Sequence, residues 1–302
     1  MRAETTFKPD LSSQEEIARR LKMRARIRAY LASFTKHFTL IVVGLIFVLP
    51  MYWMVSSALK PNAEMFVIPP KWIPSQLLWD RFPKAFEYIP FLLFAGNTTY
   101  ITIYNVVATL VSCTLVAYGF GVLQWRGRDV FFYLLIATMI LPYQVTLIPQ
   151  YIIFSRLHWI NSFKPLNVPA WFGTPFLIFL LRQFFMTIPV DLIDAAKIDG
   201  ASHPRILWNI FLPLSLPALA TMSIFTFMWN WNDFLGPLIY LSDPNKMTLT
   251  LGLYNYIGPG WDRTEWGMLL AASTMIAIPP VVLFFFAQRY FIEGISVTGI
   301  KS

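Results

Sequence analysis

Three carboxylates, Asp191, Asp194 and Asp199, stand in the run Ile188 to Pro217, a charged segment in a chain that is 56% hydrophobic and 13% charged. Asp191 can cap a short helix, Asp194 follows three positions later as a carboxylate version of the capping box, and both favour the positive end of a helix dipole. Gly200 then permits the backbone to turn. Ser202 can cap a second helix with Pro204 in its first turn, where a missing N–H costs little, and Pro213 with Pro217 mark another change of direction. The first helix is too short to hold by itself, so its small apolar side, Leu192, Ala195 and Ala196, is expected to dock against something. None of these groups is assigned a catalytic role.

A second group is Trp229-Asn230-Trp231-Asn232-Asp233-Phe234. Amides and a carboxylate beside flat apolar rings are the combination a sugar ring needs, and the same mixture suits a helix terminus at a membrane interface. The single cysteine, Cys113, lies in an apolar run, which excludes an intramolecular disulfide. His37, His158 and His203 are far apart, with no Cys or carboxylate at ligand spacing, so no metal site is expected. Asp262 and Glu265 are the nearest approach to the acidic pair of a membrane enzyme such as a lipid-linked glycosyltransferase, and their polar loop setting reads as a solvated face. The chain has no GxxxxGK[ST], so it is not itself expected to hydrolyse ATP.

These groups must be held by hydrophobic elements. At 17% aromatic and about half the charge of a soluble domain, the 302 residues describe a polytopic membrane protein. The net charge of +8 does not signal nucleic acid, because the basic residues follow the membrane. Residues 1 to 37 carry nine Lys or Arg and four Asp or Glu, with Ser12 and Glu15 as a capping box, and lack the cleavage site of a signal peptide. They read as a basic amphipathic helix on the cytoplasmic membrane lipid, with a docking arm for a partner as the alternative.

A spanning helix needs about 20 mostly apolar residues. Candidates run from about Phe38 to Leu59, Asn97 to Gln124, Val130 to Phe154, Val168 to Ile188, Leu214 to Leu241 and Trp266 to Phe291. Pro142 and Pro149 interrupt the third, Pro169, Pro175 and Arg182 fall inside the fourth, and Pro279-Pro280 lies near the middle of the sixth. Arg182 is expected to snorkel to the inner interface. With the N-terminus inside, the cytoplasmic face carries sixteen Lys or Arg and the outer face eight, which favours both termini in the cytoplasm. The outer loops, Lys60 to Gly96, Ser155 to Asn167 and Ser242 to Glu265, carry aromatics and prolines that suit a soluble partner or interfacial anchoring. The fold class is an all-α polytopic bundle of six transmembrane helices. Residues 1 to 37 form one domain and 38 to 302 the transmembrane domain, with a cytoplasmic helix pair at about 191 to 211.

The order Asp194-Ala195-Ala196, two residues, Asp199-Gly200-Ala201, then a helical run into Leu212-Pro213-Leu214, resembles the EAA loop of binding-protein-dependent ABC importer permeases, with Asp194 where that family usually has Glu. Other matching stretches are Ser57-Ala58-Leu59-Lys60, Asn97, Ala117-Tyr118-Gly119-Phe120, Trp231-Asn232-Asp233-Phe234 and Gln288-Arg289-Tyr290-Phe291-Ile292-Glu293-Gly294. Over roughly residues 38 to 302 they are similar to the carbohydrate-uptake branch, the maltose-permease G-type subunit above all. The resemblance implies that Asp194, Ala195, Ala196, Asp199, Gly200 and Ala201 couple to an ATP-binding subunit. It further implies that Trp229, Asn230, Asn232 and Asp233 border a possible substrate pathway, and that Thr298 to Ser302 reach toward the ATPases. It implies a bacterial inner-membrane complex of this chain with a second homologous permease, two ATP-binding subunits that hold ATP and Mg, and an extracytoplasmic solute-binding protein, delivering a sugar or oligosaccharide.

Two other readings stay open at this point. The Ile188 to Pro217 segment can be an interfacial connector that touches no partner. The protein can be an ion-coupled secondary transporter, although that wants buried carboxylates at the midplane and Asp233 is peripheral. Within the same ABC family, a non-sugar solute such as a glycerol-phosphate ester is a further alternative.

Overall fold

The computed structural model describes residues 11–257 and 264–299, and for 11–20, 25 and 289–299 the backbone alone. Among the described residues every regular element is helical. The chain divides between Ser57 and Ala58 into two units. The first is the body of α1 (Leu11–Leu59), one helix that runs on from the basic segment into the first apolar stretch and carries Pro50 without a break. The side chains of the Ser12–Glu15 capping box, and the loop residues Gly258 to Arg263, lie outside the described residues.

The second unit holds α2 (Arg81–Tyr88), α3 (Phe91–Gly121), α4 (Arg128–Ala137), α5 (Tyr143–Arg156), α6 (Lys164–Asn167), α7 (Pro175–Phe185), α8 (Val190–Ile198), α9 (His203–Ile206), α10 (Leu212–Leu214), α11 (Leu216–Trp231), α12 (Leu235–Tyr240), α13 (Leu249–Asn255) and α14 (Trp266–Gly299). Among the described residues four helical stretches are long and apolar enough to cross a membrane: Leu21–Leu59, Phe91–Gly121, Lys164–Phe185 and Trp266–Gln288. Two bent pairs raise the number to six if each is one span: Arg128–Ile140 with Tyr143–Arg156, bent by 99°, and His203–Leu214 with Leu216–Trp231, bent by 79°.

The helix ends correct several expected boundaries. α3 begins six residues before Asn97, because Phe91 and Phe94 continue the apolar run after Pro90 and are buried. In the third stretch the chain breaks at Leu141-Pro142, while α5 carries Pro149 inside a continuous helix. The residue before a proline is pushed out of the helical region, and Leu141 is extended at ψ 116°. The fifth stretch ends as a helix at Trp231 and resumes at Leu235. In the sixth, Pro279 and Pro280 sit inside α14 without ending it.

α3 is the axis of the second unit: α7 and α11 pack along it, and α11 packs in turn against α14. Small residues at these seams, Ala108 and Ala117 on α3 and Ala218 on α11, are at most 2% exposed and let the backbones approach, which is how helices associate where lipid supplies no hydrophobic drive. A polar stripe runs down the same face, Thr98, Thr102, Asn105, Thr109 and Ser112, all buried. Its partners lie on other elements: Asn105 Nδ2 donates to Leu166 O at 3.0 Å and to Asn230 Oδ1, Ser112 Oγ to Ala170 O at 3.0 Å, and Leu249 N donates to Thr98 Oγ1 at 2.8 Å. Apolar clusters close both ends of α3. One gathers Phe91, Phe94, Trp231 and Leu249; the other gathers Tyr118, Phe185, Ile193, Ile206 and Phe211 around the Ile188 to Pro217 segment.

Candidate functional site

The backbone between Ile188 and Pro217 follows its local preferences closely, with one exception at each cap. Pro189, not Asp191, stands at the N-cap of α8, with ψ 134°; Asp191 lies inside the first turn, where its charge still meets the helix dipole. Proline sets an extended turn two residues earlier than the carboxylate would. At the other end Gly200 has φ +77°, a left-handed conformation that L side chains avoid. Gly200 N–H donates to Lys197 O at 3.0 Å and Ala201 N–H to Ala196 O at 2.9 Å, the bond pair of a Schellman turn. Ser202 is the N-cap of α9, with Pro204 in its first turn, and makes no side-chain cap bond. The chain continues through a π-helical turn, Leu207–Phe211, and α10, and breaks at buried Ser215 between Pro213 and Pro217.

The two limbs of this hairpin are held differently. On α8 only Ile193 is buried, with Ala196 and Ala201 half-buried against the same cluster. Leu192, Ala195 and Ile198 face away from the chain, Ile198 at 86% exposure, alongside Asp191, Asp194 and Asp199. An apolar patch among carboxylates is thus left open on the outer side of α8. The second limb is seated firmly: Ile206 and Phe211 are at most 1% exposed, and the Phe211 ring meets Tyr118 edge-on at 5.2 Å and Phe185 at 5.1 Å. Tyr118 Oη also lies 3.0 Å from His203 Nδ1.

Arg182 is engaged by neighbouring helices. It is 9% exposed, its Nε donates to Phe120 O at 3.1 Å, its guanidinium stands 4.0 Å over the Phe132 ring, and Asp129 Oδ1 is 3.9 Å from Nη2. The partners come from the end of α3 and the start of α4, which a reading of its own helix does not reveal.

The aromatic and amide run divides into exposed and engaged members. Trp229 is half-exposed and stacks on Phe225 at 5.9 Å, and Asn232 is exposed with Nδ2 donating to Met228 O at 2.8 Å. Trp231 is buried, with Nε1 donating to Ile276 O at 3.1 Å. Asn230 Nδ2 donates to Thr226 O at 2.7 Å while its Oδ1 accepts from Asn105. Asp233 Oδ1 accepts from Gly236 N at 3.2 Å and its carbonyl from Thr250 Oγ1 at 2.6 Å, which ties the start of α12 to α13. The run therefore builds a helix junction, with Trp229 and Asn232 left on its surface.

Outside the spans, the loop after α1 is ordered by buried polar groups. Glu64 accepts from Lys71 Nζ at 2.6 Å and from Ser75 N at 3.1 Å, which holds its carboxyl down at about 2, well below the usual range. Arg81 donates to Asn62 Oδ1 at 2.6 Å and to Ala58 O at 3.3 Å, and Asn62 Nδ2 reaches Glu265 Oε2 at 3.4 Å. Asn97 Nδ2 donates to Asn245 O and Met247 O, both at 2.9 Å, so the start of α3 is pinned to the loop before α13. Among the described residues no three of His, Cys, Asp and Glu gather as a metal site.

Residues 113–297 match the family model of the binding-protein-dependent transport system inner membrane component. The arabinooligosaccharides transport system permease protein AraQ of Halalkalibacterium halodurans is 33% identical over 262 residues, covering 86% of this chain and 93% of that protein. The sn-glycerol-3-phosphate transport system permease protein UgpE of Pectobacterium atrosepticum is 32% identical over 263 residues, covering 85% of this chain and 93% of its own. A crystal structure of a bacterial ABC transporter involved in the import of the acidic polysaccharide alginate superposes with a TM-score of 0.75 over 95% of this chain and all of that one, at 21% identity, and so shares the fold. The match spans α3 to α14 and takes in both limbs of the glycine-turned hairpin, and on it the chain belongs to the binding-protein-dependent transport system inner membrane components, as a permease of an ABC importer.

Proposed function

We propose that this permease carries a sugar or oligosaccharide across the bacterial inner membrane as one half of a pathway completed by a second, homologous permease subunit. The observation that carries the reading is the α8 hairpin, whose turn is built by backbone geometry while the apolar residues of its outer side have no cover among the described residues. Asp194, Ala195, Ala196, Asp199, Gly200 and Ala201 form the coupling site, seated in a cleft of an ATP-binding subunit. ATP and Mg belong to that subunit, and this chain is non-catalytic. Closure of two such subunits draws the cytoplasmic ends of the bundle together and opens its outer side, where a solute-binding protein delivers the substrate. Each bent pair counts as one span, giving six, and the excess of basic residues on one side supports both termini in the cytoplasm. Residues 1–37 lie on the cytoplasmic lipid surface and 38–302 form the transmembrane domain. Trp229 and Asn232 face the pathway, held in place by Asn230 and Asp233.

The carbohydrate assignment draws on the oligosaccharide in the name of the AraQ relative; a glycerol-phosphate ester is the second reading, favoured by UgpE at nearly equal identity. Co-purification of the whole complex, mass spectrometry of its bound ligand and ATP-driven uptake in vesicles separate the two. Uptake that survives ATP depletion and collapses with an ion gradient would overturn the importer reading.

A further inference from the structure

The coupling hairpin is useful only if its displacement reaches the spanning helices, and its two limbs offer unequal routes. α8 touches the bundle through Ile193 and two small side chains, which can slide. The second limb meets α3 and α7 through Phe211, Phe185 and Tyr118, whose ring contacts are close but non-directional. The bond between Tyr118 Oη and His203 Nδ1 differs in kind. It is directional, it is 3.0 Å long, and it joins the last turn of α3 to the first residue of α9, three positions beyond the glycine turn. The ring of Tyr118 is wedged among Phe185, Phe211 and His203 and is 5% exposed, so the hydroxyl cannot swing away to another partner. His203 is exposed and is held from the inner side by this contact.

We infer that Tyr118 and His203 are positioning residues that form the strut by which rotation of the coupling hairpin is passed to α3, the axis against which α7 and α11 pack. The apolar cluster keeps the hairpin attached; the strut fixes its register. This rests on the coupling role proposed above. With Nδ1 unprotonated the tyrosine hydroxyl donates to it. An asparagine at 203 places a polar atom near the position of Nδ1, whereas a glutamine places one near Nε2 and leaves Tyr118 without a partner.

The test uses the complete transporter in proteoliposomes with its solute-binding protein, measuring complex yield, ATP hydrolysis and solute uptake per ATP. Tyr118→Phe, His203→Ala and His203→Gln are expected to lower uptake per ATP by about fivefold, the population shift of one neutral hydrogen bond, with complex yield kept. His203→Asn is expected to restore the ratio. Tyr118→Phe with wild-type uptake per ATP overturns the strut. A His203→Asn variant as impaired as His203→Ala overturns the specific bond, and loss of assembly in Tyr118→Phe overturns it too, since the contact would then serve folding alone. A wild-type complex that takes up no solute with ATP instead defeats the coupling reading itself, and so is distinguishable from failure of the strut.

Discussion

Replacing Gly200 separates two reasons for a glycine at the tip of the α8 hairpin. A Cβ built there meets nothing within 4 Å, so the chain itself has room for a side chain, and the cost of substitution comes from φ +77°. Alanine held in the left-handed region loses about 1–2 kcal/mol, or roughly a five- to thirtyfold fall in the population of the native turn. Asparagine tolerates that region better and should lose least, while valine, branched at Cβ, should lose more than alanine. Proline is fixed near φ −65° and also deletes the 3.0 Å bond from Gly200 N–H to Lys197 O, so it should cost more than about 3 kcal/mol and empty the native turn at least a hundredfold. If the ATP-binding subunit recognises the turned state, its apparent affinity falls by the same fraction. Titrating that subunit onto reconstituted permease variants should therefore give the order Asn, Ala, Val, Pro from strongest to weakest. An order that follows side-chain volume, with alanine better than asparagine, would refute the argument and show that glycine is there to let the partner approach.

Ile198→Asp should weaken binding of the ATP-binding subunit by tenfold or more, since burying that side chain is worth about 1.5–3 kcal/mol, and leave the thermal midpoint of the isolated permease unchanged because the residue is 86% exposed; a matching fall in the midpoint would place it in the fold instead. Asp233→Asn keeps an acceptor for Gly236 N–H and should retain uptake within about twofold, whereas Asp233→Ala should lower stability by about 1 kcal/mol; abolished uptake in the Asn variant with unchanged stability would assign the charge to the pathway. The Glu64 carboxyl is depressed from 4.5 to about 2, so the ion pair's contribution is complete above pH 4.5 and disappears as pH falls toward 2. Tryptophan fluorescence from the loop of Trp72 and Trp79 should report that loss on acidification of the solubilised protein, and Glu64→Gln should remove the dependence; an unchanged titration in the variant would locate the acid-sensitive group elsewhere.

What could be read from the sequence was what depends on a few neighbouring residues. The Gly200 turn follows from glycine being the residue that accepts a left-handed φ, and the bend near Pro213 to Pro217 follows from proline lacking an N–H. The first cap differs from the expectation because Pro189, two residues further out, sets the extended turn before Asp191 can. Prolines in the spans show the limit of a local rule: Pro142 marks a 99° break, whereas Pro149, seven residues later, lies inside an unbroken helix. Position decides between them, because Pro142 opens a new helix with nothing preceding it to bond, while the carbonyl released by Pro149 is a single loss within an established helix. Contacts distant along the chain were invisible altogether. The place of Arg182 near the inner end of its helix suggests an interfacial side chain, and nothing on that helix names Phe120, Asp129 and Phe132, which supply a carbonyl, a carboxylate and a ring from two other elements. Tyr118 and His203 are 85 residues apart, and neither carries a pattern that names the other. The hairpin itself is thus a product of local backbone preference, and its attachment to the bundle is a product of packing. A variant that disturbs the turn and one that disturbs the strut should accordingly add in free energy when combined, as Gly200→Ala with Tyr118→Phe tests; a coupling larger than about 0.5 kcal/mol between them would mean that turn and strut form one cooperative unit.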